Sequence, residues 1–274
     1  MASSLIRIFS DLHYGDRATS LHSLSALQPL FDGASDIVVN GDALDTRPSP
    51  SPQLTAALRS EVLAFFQQHS PRATLLTGNH DPDIGSVHHL DFPAASLFVT
   101  HGDALFDDLV PWSQDAPLAR KLVAAELAAQ PASERESLSA LLTACRRAAA
   151  LIPQRHQSEP HGLKYLIGFA RDTVWPPSRI LRVLRAWRET PLRAAAFLQR
   201  HRPNAKFLAM GHTHRLGAFR APSGKIILNT GAFCPPCAPG VIDLCRDRLS
   251  LRRVERRRGE FRLGPALAEF ALAD

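Results

Sequence analysis

Five short apolar runs each end in a cluster of Asp, Asn, His and Gly residues, and this pattern constrains the fold more than any other feature. The clusters occupy residues 11–13, 41–45, 78–81, 101–103 and 211–214. Short continuous apolar runs are typical of strands buried on both faces. Helical segments between the early runs, such as residues 54–68, predict an α/β layer structure. Sites in such sheets form beyond the carboxyl ends of the strands, where all five clusters fall.

The residue types in these clusters favour a divalent metal site. They offer imidazole, carboxylate and amide oxygen but no thiolate, a mixture that suits Mn, Fe, Zn, Co or Ni. Alternation along an extended segment places Asp11 and His13 on one side of the chain, and likewise His212 and His214. Glycine precedes three of the candidates and permits close backbone approach there: Asp42, Asn79 and His212. Taken singly, a cluster could be a turn, a helix cap or a core histidine, but five together predict a metal site.

In chain order the motifs are Asp-x-His, Gly-Asp-x-x-Asp, Gly-Asn-His-Asp, His-Gly-Asp and Gly-His-x-His. This series resembles the calcineurin-like metallophosphoesterase superfamily. The resemblance covers about residues 1–103 and 204–254. It implies an α/β fold of the α/β/β/α type, a β-sandwich flanked by helices, with two divalent metal ions. Manganese is the ion expected first, with Fe, Zn, Co and Ni as alternatives.

The resemblance also implies a role for each motif residue. One ion would be held by Asp11, His13, Asp42 and His214. The other would be held by Asp42, Asn79, His101 and His212. His80 corresponds to the catalytic histidine of the family, which assists the leaving group or steadies the phosphoryl oxygens, and Asp81 would orient it. Asp45 is expected to hold a ligand or the Asp42 loop.

The chemistry expected of such a site is hydrolysis of a phosphodiester or pyrophosphate bond. Two divalent ions about 3.5–4 Å apart can share a water and lower its pKa towards neutrality. The same ions stabilise charge on the non-bridging phosphoryl oxygens. A protonated His80 could donate to the leaving oxygen, and general acid catalysis of this kind contributes roughly 10²–10⁴ in rate. The chain is therefore expected to be a metal-dependent phosphoric ester or pyrophosphate hydrolase.

Residues 104–203 are predicted to form a helical cap inserted into a core made of residues 1–103 and 204–274. The insertion is rich in Ala, Leu and Arg and contains no convincing strand. Helical spacing occurs at residues 118–130, 132–151, 162–169 and 179–188. Pro176, Pro177 and Pro191 are interpreted as breaks or first-turn positions. We expect the cap to lie over the strand ends.

The position of the insertion resembles the UDP-2,3-diacylglucosamine pyrophosphatase branch of the superfamily. That branch also has a His-Gly-Asp-x-Leu motif, present here at residues 101–105, although it often has arginine at the position of His80. The resemblance implies a nucleotide-linked lipid as substrate. Arginines at 179, 182, 185 and 188 alternate with large apolar residues. This pattern is typical of an ordinary packed helix with a solvated arginine edge, and contact with an anionic lipid or an acidic membrane face is the alternative.

The net charge is also compatible with other anionic partners. The 32 Lys and Arg residues exceed the 26 Asp and Glu residues, giving a net charge of +6. Such a surplus favours nucleic acid, nucleotides or an acidic membrane as partners. A nucleic-acid phosphodiesterase or a general phosphatase of the same superfamily is therefore the alternative function. Aromatic residues make up only 7 %, which disfavours a base-stacking surface. A catalytically silent scaffold is the least favoured alternative, because every ligand and His80 are present.

Composition also predicts the compartment. Four cysteines are too few for a disulfide framework in 274 residues, and no apolar run reaches the ~18 residues of a membrane span. The first residues contain no long apolar stretch of the kind found in secretory signals. We therefore expect a cytoplasmic protein, with peripheral contact at the inner membrane face. Cys234 and Cys237 are expected to be free thiols in a loop near the site, in preference to a redox pair or half a zinc site.

Overall fold

The computed structural model describes residues 5–70, 72–154 and 177–272, which contain eleven strands and four α-helices. The strands are β1 (Ile6–Phe9), β2 (Asp36–Asn40), β3 (Ala73–Leu76), β4 (His89–Phe92), β5 (Leu97–Thr100), β6 (Phe207–Met210), β7 (Gly217–Arg220), β8 (Ile226–Asn229), β9 (Gly240–Leu244), β10 (Arg248–Arg257) and β11 (Glu260–Ala271). The α-helices are α1 (Pro52–His69), α2 (Ala116–Ala128), α3 (Leu138–Ala150) and α4 (Ser178–His201). Short 3₁₀ helices occupy Leu24–Leu30, Pro93–Ala95 and Asp103–Leu105.

The strands form two mixed sheets, and five of their six parallel strands are the predicted apolar runs. The first sheet has the order β11-β10-β9-β1-β2-β3, and the second has the order β4-β5-β6-β8-β7. Strands β1 to β3 run parallel in the first sheet, as do β5, β6 and β8 in the second. At the end of β2, Asn40 Nδ2 donates to the Thr100 carbonyl at the end of β5 over 3.0 Å. The carboxyl ends of the two sheets therefore meet at one edge of the molecule.

The sheets stack face to face between two helical layers. Between the sheets, Ile8 and Val38 of the first pack with Val99 and Phe207 of the second, and all are nearly inaccessible. The outer face of the first sheet is covered by α1 and the 3₁₀ helix Leu24–Leu30. The outer face of the second is covered by α2, α3 and α4. This is the α/β/β/α sandwich that the family resemblance implies.

The helices of the insertion form this outer layer on the second sheet, whereas we expected the insertion to lie over the strand ends. Their buried cluster includes Phe98, Leu208 and Ile227 of the sheet with Val123, Leu142 and Leu198 of the helices. Side chains of a strand alternate between faces, so strands β5, β6 and β8 need apolar cover on both sides. None of the described helices combines the length and apolar character needed to cross a membrane.

Helix α4 continues through Pro191, where the sequence predicts a break. A proline in a helix leaves the carbonyl four residues earlier without its N–H partner. Here that carbonyl belongs to Trp187, and it accepts a hydrogen bond from Arg215 Nη1 at 3.0 Å. The long-range arginine therefore replaces the missing donor. Pro177 is the N-cap of α4, as a first-turn interpretation requires, whereas Pro176 and the predicted helix at 162–169 lie outside the described residues.

The start of one helix and the presence of three strands also differ from the sequence prediction. Helix α3 begins at Leu138, six residues after the predicted start, because Ser137 caps it by accepting from the Ala140 N–H over 3.0 Å. Apolar runs at residues 240–244 and 249–254 also predict a closing hairpin, which is present as β9 and β10, but the sequence prediction missed β4, β7 and β11. All three are edge strands. They need not be apolar on both faces and so lack the signal that identified the central strands.

Candidate metal centre

Five of the predicted ligands adopt a left-handed backbone conformation shortly after a strand. Their φ angles are 55° at Asp11, 47° at His13, 54° at Asp42, 64° at His212 and 57° at His214. This region costs a non-glycine residue roughly 1–2 kcal/mol and is uncommon outside glycine. Three other non-glycine residues in the described part of the chain also adopt a left-handed conformation. Strain of this kind concentrates at functional sites, because it turns side chains towards a common point.

Asp11, His13 and His214 form the first ligand group. His214 Nε2 lies 3.1 Å from Asp11 Oδ1 and 3.3 Å from His13 Nε2. The His13 Nε2 atom lies 3.9 Å from Asp11 Oδ1. The three ligand atoms all lie within 4.8 Å of one another. Asp11 and His13 follow β1 of the first sheet and His214 follows β6 of the second, so the group forms only where the two sheets meet.

Asn79, His101 and His212 form the second group. Asn79 Oδ1 lies 2.8 Å from His212 Nδ1 and 3.2 Å from His101 Nε2. All three side chains are at least 95 % buried. Asp42 joins this group, because its Oδ2 atom lies 3.3 Å from His101 Nε2.

The outer nitrogens of the two imidazoles in the second group are held by backbone carbonyls. His101 Nδ1 donates to the Asn40 carbonyl at 2.9 Å, and His212 Nε2 donates to the Leu109 carbonyl at 2.8 Å. A second hydrogen bond of this kind sets the tautomer and the ring orientation of a metal-binding histidine. Each ring is therefore oriented so that its other nitrogen faces the interior of the site.

Asp42 is the carboxylate that the two groups share. Its Oδ2 atom lies 3.9 Å from His13 Nε2 in the first group and 3.3 Å from His101 Nε2 in the second. Its Oδ1 atom accepts a hydrogen bond from the His80 N–H at 2.8 Å. A single oxygen therefore faces both groups, which is the arrangement that a bridging ligand requires.

The buried carboxylates and imidazoles of the site shift the pKa values of one another. Burial would raise the pKa of Asp42, but the neighbouring imidazoles of His101 and then His80 outweigh it and lower that pKa well below its usual value. Burial would lower the pKa of His214, but the Asp11 carboxylate raises it to about 10. The pKa of His101 is likewise well above its usual value, because Asp42 outweighs the effect of burial.

The pKa values of two other imidazoles are lowered. Burial, reinforced by the neighbouring His80, lowers the pKa of His13 to about 4. Burial, reinforced by His101, lowers the pKa of His212 to about 3. Divalent metals bind neutral imidazoles and ionised carboxylates, and they displace any protons those groups carry. The donor set of buried carboxylates, imidazoles and one amide oxygen therefore fits two divalent cations.

Two glycines leave the space that the carboxylates occupy. A Cβ atom on Gly78 would overlap Asp42 Oδ1, and one on Gly211 would overlap Asp11 Oδ2. The prediction that glycines permit close backbone approach is therefore confirmed at both positions.

The prediction that Asp81 orients His80 is wrong. Asp81 Oδ1 accepts from the N–H groups of Asp42 and Gly78 at 2.9 and 2.8 Å, and Oδ2 accepts from Ala43 at 2.6 Å. Backbone donors buried in two adjoining loops need acceptors, and Asp81 satisfies three of them. It therefore fixes the loops that carry Asp42 and His80 instead of contacting the imidazole of His80.

His80 is held by Asp45 and Arg47. Its Nδ1 atom lies 3.0 Å from Asp45 Oδ2 and 2.9 Å from Arg47 Nη2. Nδ1 can donate to the carboxylate or accept from the guanidinium, but not both at once. The side chain is 30 % exposed, and its ring lies 5.0 Å from the His13 ring. Nε2 is therefore the ring nitrogen left for a substrate.

Two residues that the sequence analysis did not single out support this arrangement. Arg47 binds the Asp45 carboxylate with two donors, Nε at 3.0 Å and Nη2 at 2.6 Å. Gln154 Nε2 donates to the carbonyls of Asp45 and Arg47 at 2.7 and 3.1 Å. The contact of Arg47 could have been predicted, because it lies two residues from Asp45 in sequence. The contact of Gln154 could not, because Gln154 lies 109 residues from Asp45.

Parts of the insertion do reach the strand ends. Trp187 Nε1 of α4 donates to the Thr213 carbonyl at 2.8 Å, between the two histidines of the last motif. The Phe106 ring lies 5.7 Å from the His212 ring, and the Trp112 ring lies 5.4 Å from it. With the Leu109 carbonyl, these contacts place the insertion against the His212 side of the site.

Cys234 and Cys237 are free thiols beside the first ligand group, as predicted. Cys237 contributes to the raised pKa of His214, and both thiols are half-buried. Burial raises the pKa of the Cys234 thiol, which disfavours the reactive thiolate.

No family model matches the chain, and no curated protein matches it. Among solved structures, vacuolar protein sorting 29 from Cryptosporidium parvum shares 14 % identity at a TM-score of 0.42, covering 99 % of this chain and 100 % of that one. A conserved uncharacterized protein and predicted phosphoesterase from Streptococcus pneumoniae shares 14 % at 0.41, covering 99 % of each chain. A dimetal phosphatase from Danio rerio shares 14 % at 0.44, covering 98 % and 99 %. Similarities this weak assign neither a family nor a function.

Proposed function

We propose that this protein is a calcineurin-like metallophosphoesterase that hydrolyses a phosphodiester or pyrophosphate bond. The observation that carries the proposal is the position of Asp42 Oδ2, which faces an imidazole of each ligand group within 3.9 Å. Asp11, His13, Asp42 and His214 would hold one divalent cation. Asp42, Asn79, His101 and His212 would hold the other. Manganese is the ion we expect.

When bound, two such cations supply Lewis-acid charge and an activated water for attack on phosphorus. The role of His80 follows from its contacts. Asp45 and Arg47 hold its Nδ1 atom, so Nε2 is directed to the leaving oxygen or to a phosphoryl oxygen, where it can donate a proton. Asp81 keeps His80 and Asp42 in register through the backbone of their loops.

A nucleotide-linked lipid is the substrate we propose, in the manner of a UDP-2,3-diacylglucosamine pyrophosphatase. The first turns of α4 leave three large apolar side chains in solvent: Ile180 at 42 %, Leu181 at 66 % and Leu184 at 50 % exposure. Exposed aliphatics on a basic helix suit an acyl chain or the surface of an acidic membrane. A cytoplasmic enzyme in peripheral contact with the inner membrane face would meet such a substrate.

A nucleic-acid phosphodiesterase is the second candidate. The observation that favours it is the β10–β11 hairpin, which exposes the arginines Arg253, Arg256 and Arg258. Exposed arginines of this kind suit a phosphate backbone without reading its sequence.

The test is hydrolysis by the manganese-loaded protein of bis-p-nitrophenyl phosphate, UDP-2,3-diacylglucosamine and single-stranded DNA in parallel. Preference for the UDP-lipid with release of UMP would support the lipid proposal, and preference for DNA would favour the nuclease. Asp42→Asn should lose both bound metal, measured by elemental analysis, and turnover of every substrate. Asp32→Asn, on an exposed carboxylate outside the site, is the matched control. Wild-type metal content and rate in Asp42→Asn would refute the shared centre.

A further inference from the structure

A cleft of about 240 Å³ opens between α2, α4 and the segment that leads from the His101 motif into the insertion. Four arginines line it: Arg120 of α2 and Arg182, Arg185 and Arg193 of α4. Ala186, a small residue that is 3 % exposed, lies between the side chains of α4 and leaves the room for the cleft. We call this feature the arginine cleft.

Acidic groups in the arginine cleft do not match its positive charge. Arg120 pairs with Asp108 at 2.8 Å, while Arg185 and Arg193 share the single carboxylate of Glu189 at 2.7 and 3.1 Å. Asp107 is the remaining carboxylate of the lining. Four guanidinium groups therefore face three carboxylates.

Arg182 is the cation left over. It makes no hydrogen bond or ion pair within the described part of the chain, whereas its three neighbours each have a carboxylate partner. The pairs with Asp108 and Glu189 use only part of the N–H groups of those neighbours, which leaves the others to donate to a ligand. Guanidinium groups bind phosphate oxygens in a forked geometry, and an anion would offset the repulsion among the four cations.

A single aromatic ring separates the arginine cleft from the metal centre. Phe106 lines the cleft, its ring lies 5.7 Å from the His212 ring, and the Arg193 guanidinium carbon lies 5.3 Å from the Phe106 centroid. These two distances place Arg193 within about 11 Å of the His212 ring. Phe106 itself is only 3 % exposed, so a substrate that reaches both sites passes around the ring. Asp108 marks that route, because it lines both the arginine cleft and the pocket beside Asn79.

We infer that the arginine cleft binds a second phosphate of the substrate while its scissile phosphoester lies at the metal centre. The substrate class is thus a phosphoester that carries another phosphate group a short distance away. This inference rests on the proposed function, because it assigns the cleft to the same reaction.

Two matched esters test the inference: the p-nitrophenyl ester of thymidine 5′-phosphate, with and without a 3′-phosphate. They share a leaving group and differ by one phosphate. The manganese-loaded protein should show a KM about tenfold lower for the 3′-phosphorylated ester. Arg182→Glu should abolish this ratio, and Arg182→Lys should retain part of it. Arg200→Glu, on the same helix but paired with Glu136 outside the cleft, should keep the wild-type ratio. Equal KM values for the two esters in the wild type would overturn the inference.

A binding measurement separates failure of the cleft from failure of the proposed function. Inorganic pyrophosphate is titrated calorimetrically into the full chain after treatment with EDTA, so that no hydrolysis is needed. We expect salt-sensitive binding that weakens at least tenfold in Arg182→Glu and is unchanged in Arg200→Glu. The same affinity in Arg182→Glu and wild type would overturn the cleft even if both esters were hydrolysed. Binding without hydrolysis of either ester would retain the anion site and refute the phosphoesterase.

Discussion

Asp11, Asp42 and His212 occupy backbone positions where glycine would be less strained. A left-handed φ at these residues costs folding free energy, and a turn alone would not require a side chain there. The strain is tolerated because neighbouring groups hold the turns in place. Two N–H groups of one loop and one of the next donate to Asp81, and the His212 N–H donates to Asp11. Strain that is tolerated at a non-glycine residue therefore indicates that its side chain is needed for the chemistry of the site.

His80→Ala should retain bound metal and lose most of the rate. The residue contacts none of the ligand side chains by a hydrogen bond of its ring, yet it supplies the free imidazole nitrogen of the site. For an ester with a poor leaving group, such as an alkyl phosphodiester, we expect a loss of roughly 10²–10⁴ in kcat, the usual contribution of general acid catalysis. The loss should be smaller for bis-p-nitrophenyl phosphate, since its leaving group needs no proton.

Elemental analysis and the ratio of the two rates are the measurements for this variant. His22→Ala, at an exposed histidine outside the site, is the control. If His80→Ala kept both its metal and its rate on the alkyl ester, His80 would have no catalytic role.

At the scale of elements, the end of α3 is joined to the loop that holds His80. Gln154, which is 6 % exposed, donates to the carbonyls of Asp45 and Arg47, and its own N–H donates to the Pro48 carbonyl at 2.8 Å. The insertion and the core are thus connected through the backbone of this loop. A shift of α3 would move Asp45 and Arg47, and His80 with them.

Gln154→Ala should lower kcat by about tenfold with little change in metal content. Removing the side-chain amide leaves two buried carbonyls without donors and loosens the loop, and small displacements of a catalytic group can cost up to about 10² in rate. The loss should again be larger for an alkyl ester than for bis-p-nitrophenyl phosphate, because His80 is the group displaced. Gln199→Ala, at an exposed glutamine of α4, is the matched control. An equal loss on both esters would mean that Gln154 acts on stability instead of on His80.

At the scale of the whole molecule, a buried ion pair joins the first strand to the C-terminal part of the first sheet. Arg7 Nε and Nη2 contact the two oxygens of Asp243 at 2.6 and 3.1 Å, and Nη1 donates to the Leu30 carbonyl at 2.6 Å. Arg7 lies on β1 and Asp243 on β9, which pair in that sheet. The pair therefore links three segments that are far apart in sequence.

Asp243→Ala should lower the free energy of unfolding by about 3–5 kcal/mol, because it leaves the Arg7 charge buried without its partner. Urea denaturation followed by circular dichroism measures this loss. Asp247→Ala, at an exposed carboxylate in the turn between β9 and β10, should change stability by less than about 0.5 kcal/mol. A change equally small in Asp243→Ala would show that the pair contributes nothing to stability.

The strands that are apolar on both faces, and the polar clusters that follow them, could be predicted from sequence because their signals are local. A strand covered on both faces must be continuously apolar, and the polar residues that follow it stand at the sheet edge by topology alone. The edge strands β4, β7 and β11 lack that two-sided requirement and were missed. The continuation of α4 through Pro191 was missed because Arg215, which replaces the missing N–H donor, lies on another segment.

Tertiary structure alone decided which carboxylate serves His80. Asp81 is adjacent to His80 in sequence, but the buried N–H groups of two loops take both of its oxygens. Asp45, from a different loop, contacts the ring instead, and Gln154 holds that loop from the insertion. The sequence by itself determined the residue types of the site and the fold that gathers them. The hydrogen-bond partner of each group depended on distances between segments remote in sequence, since each buried donor and acceptor takes the partner that packing brings within reach.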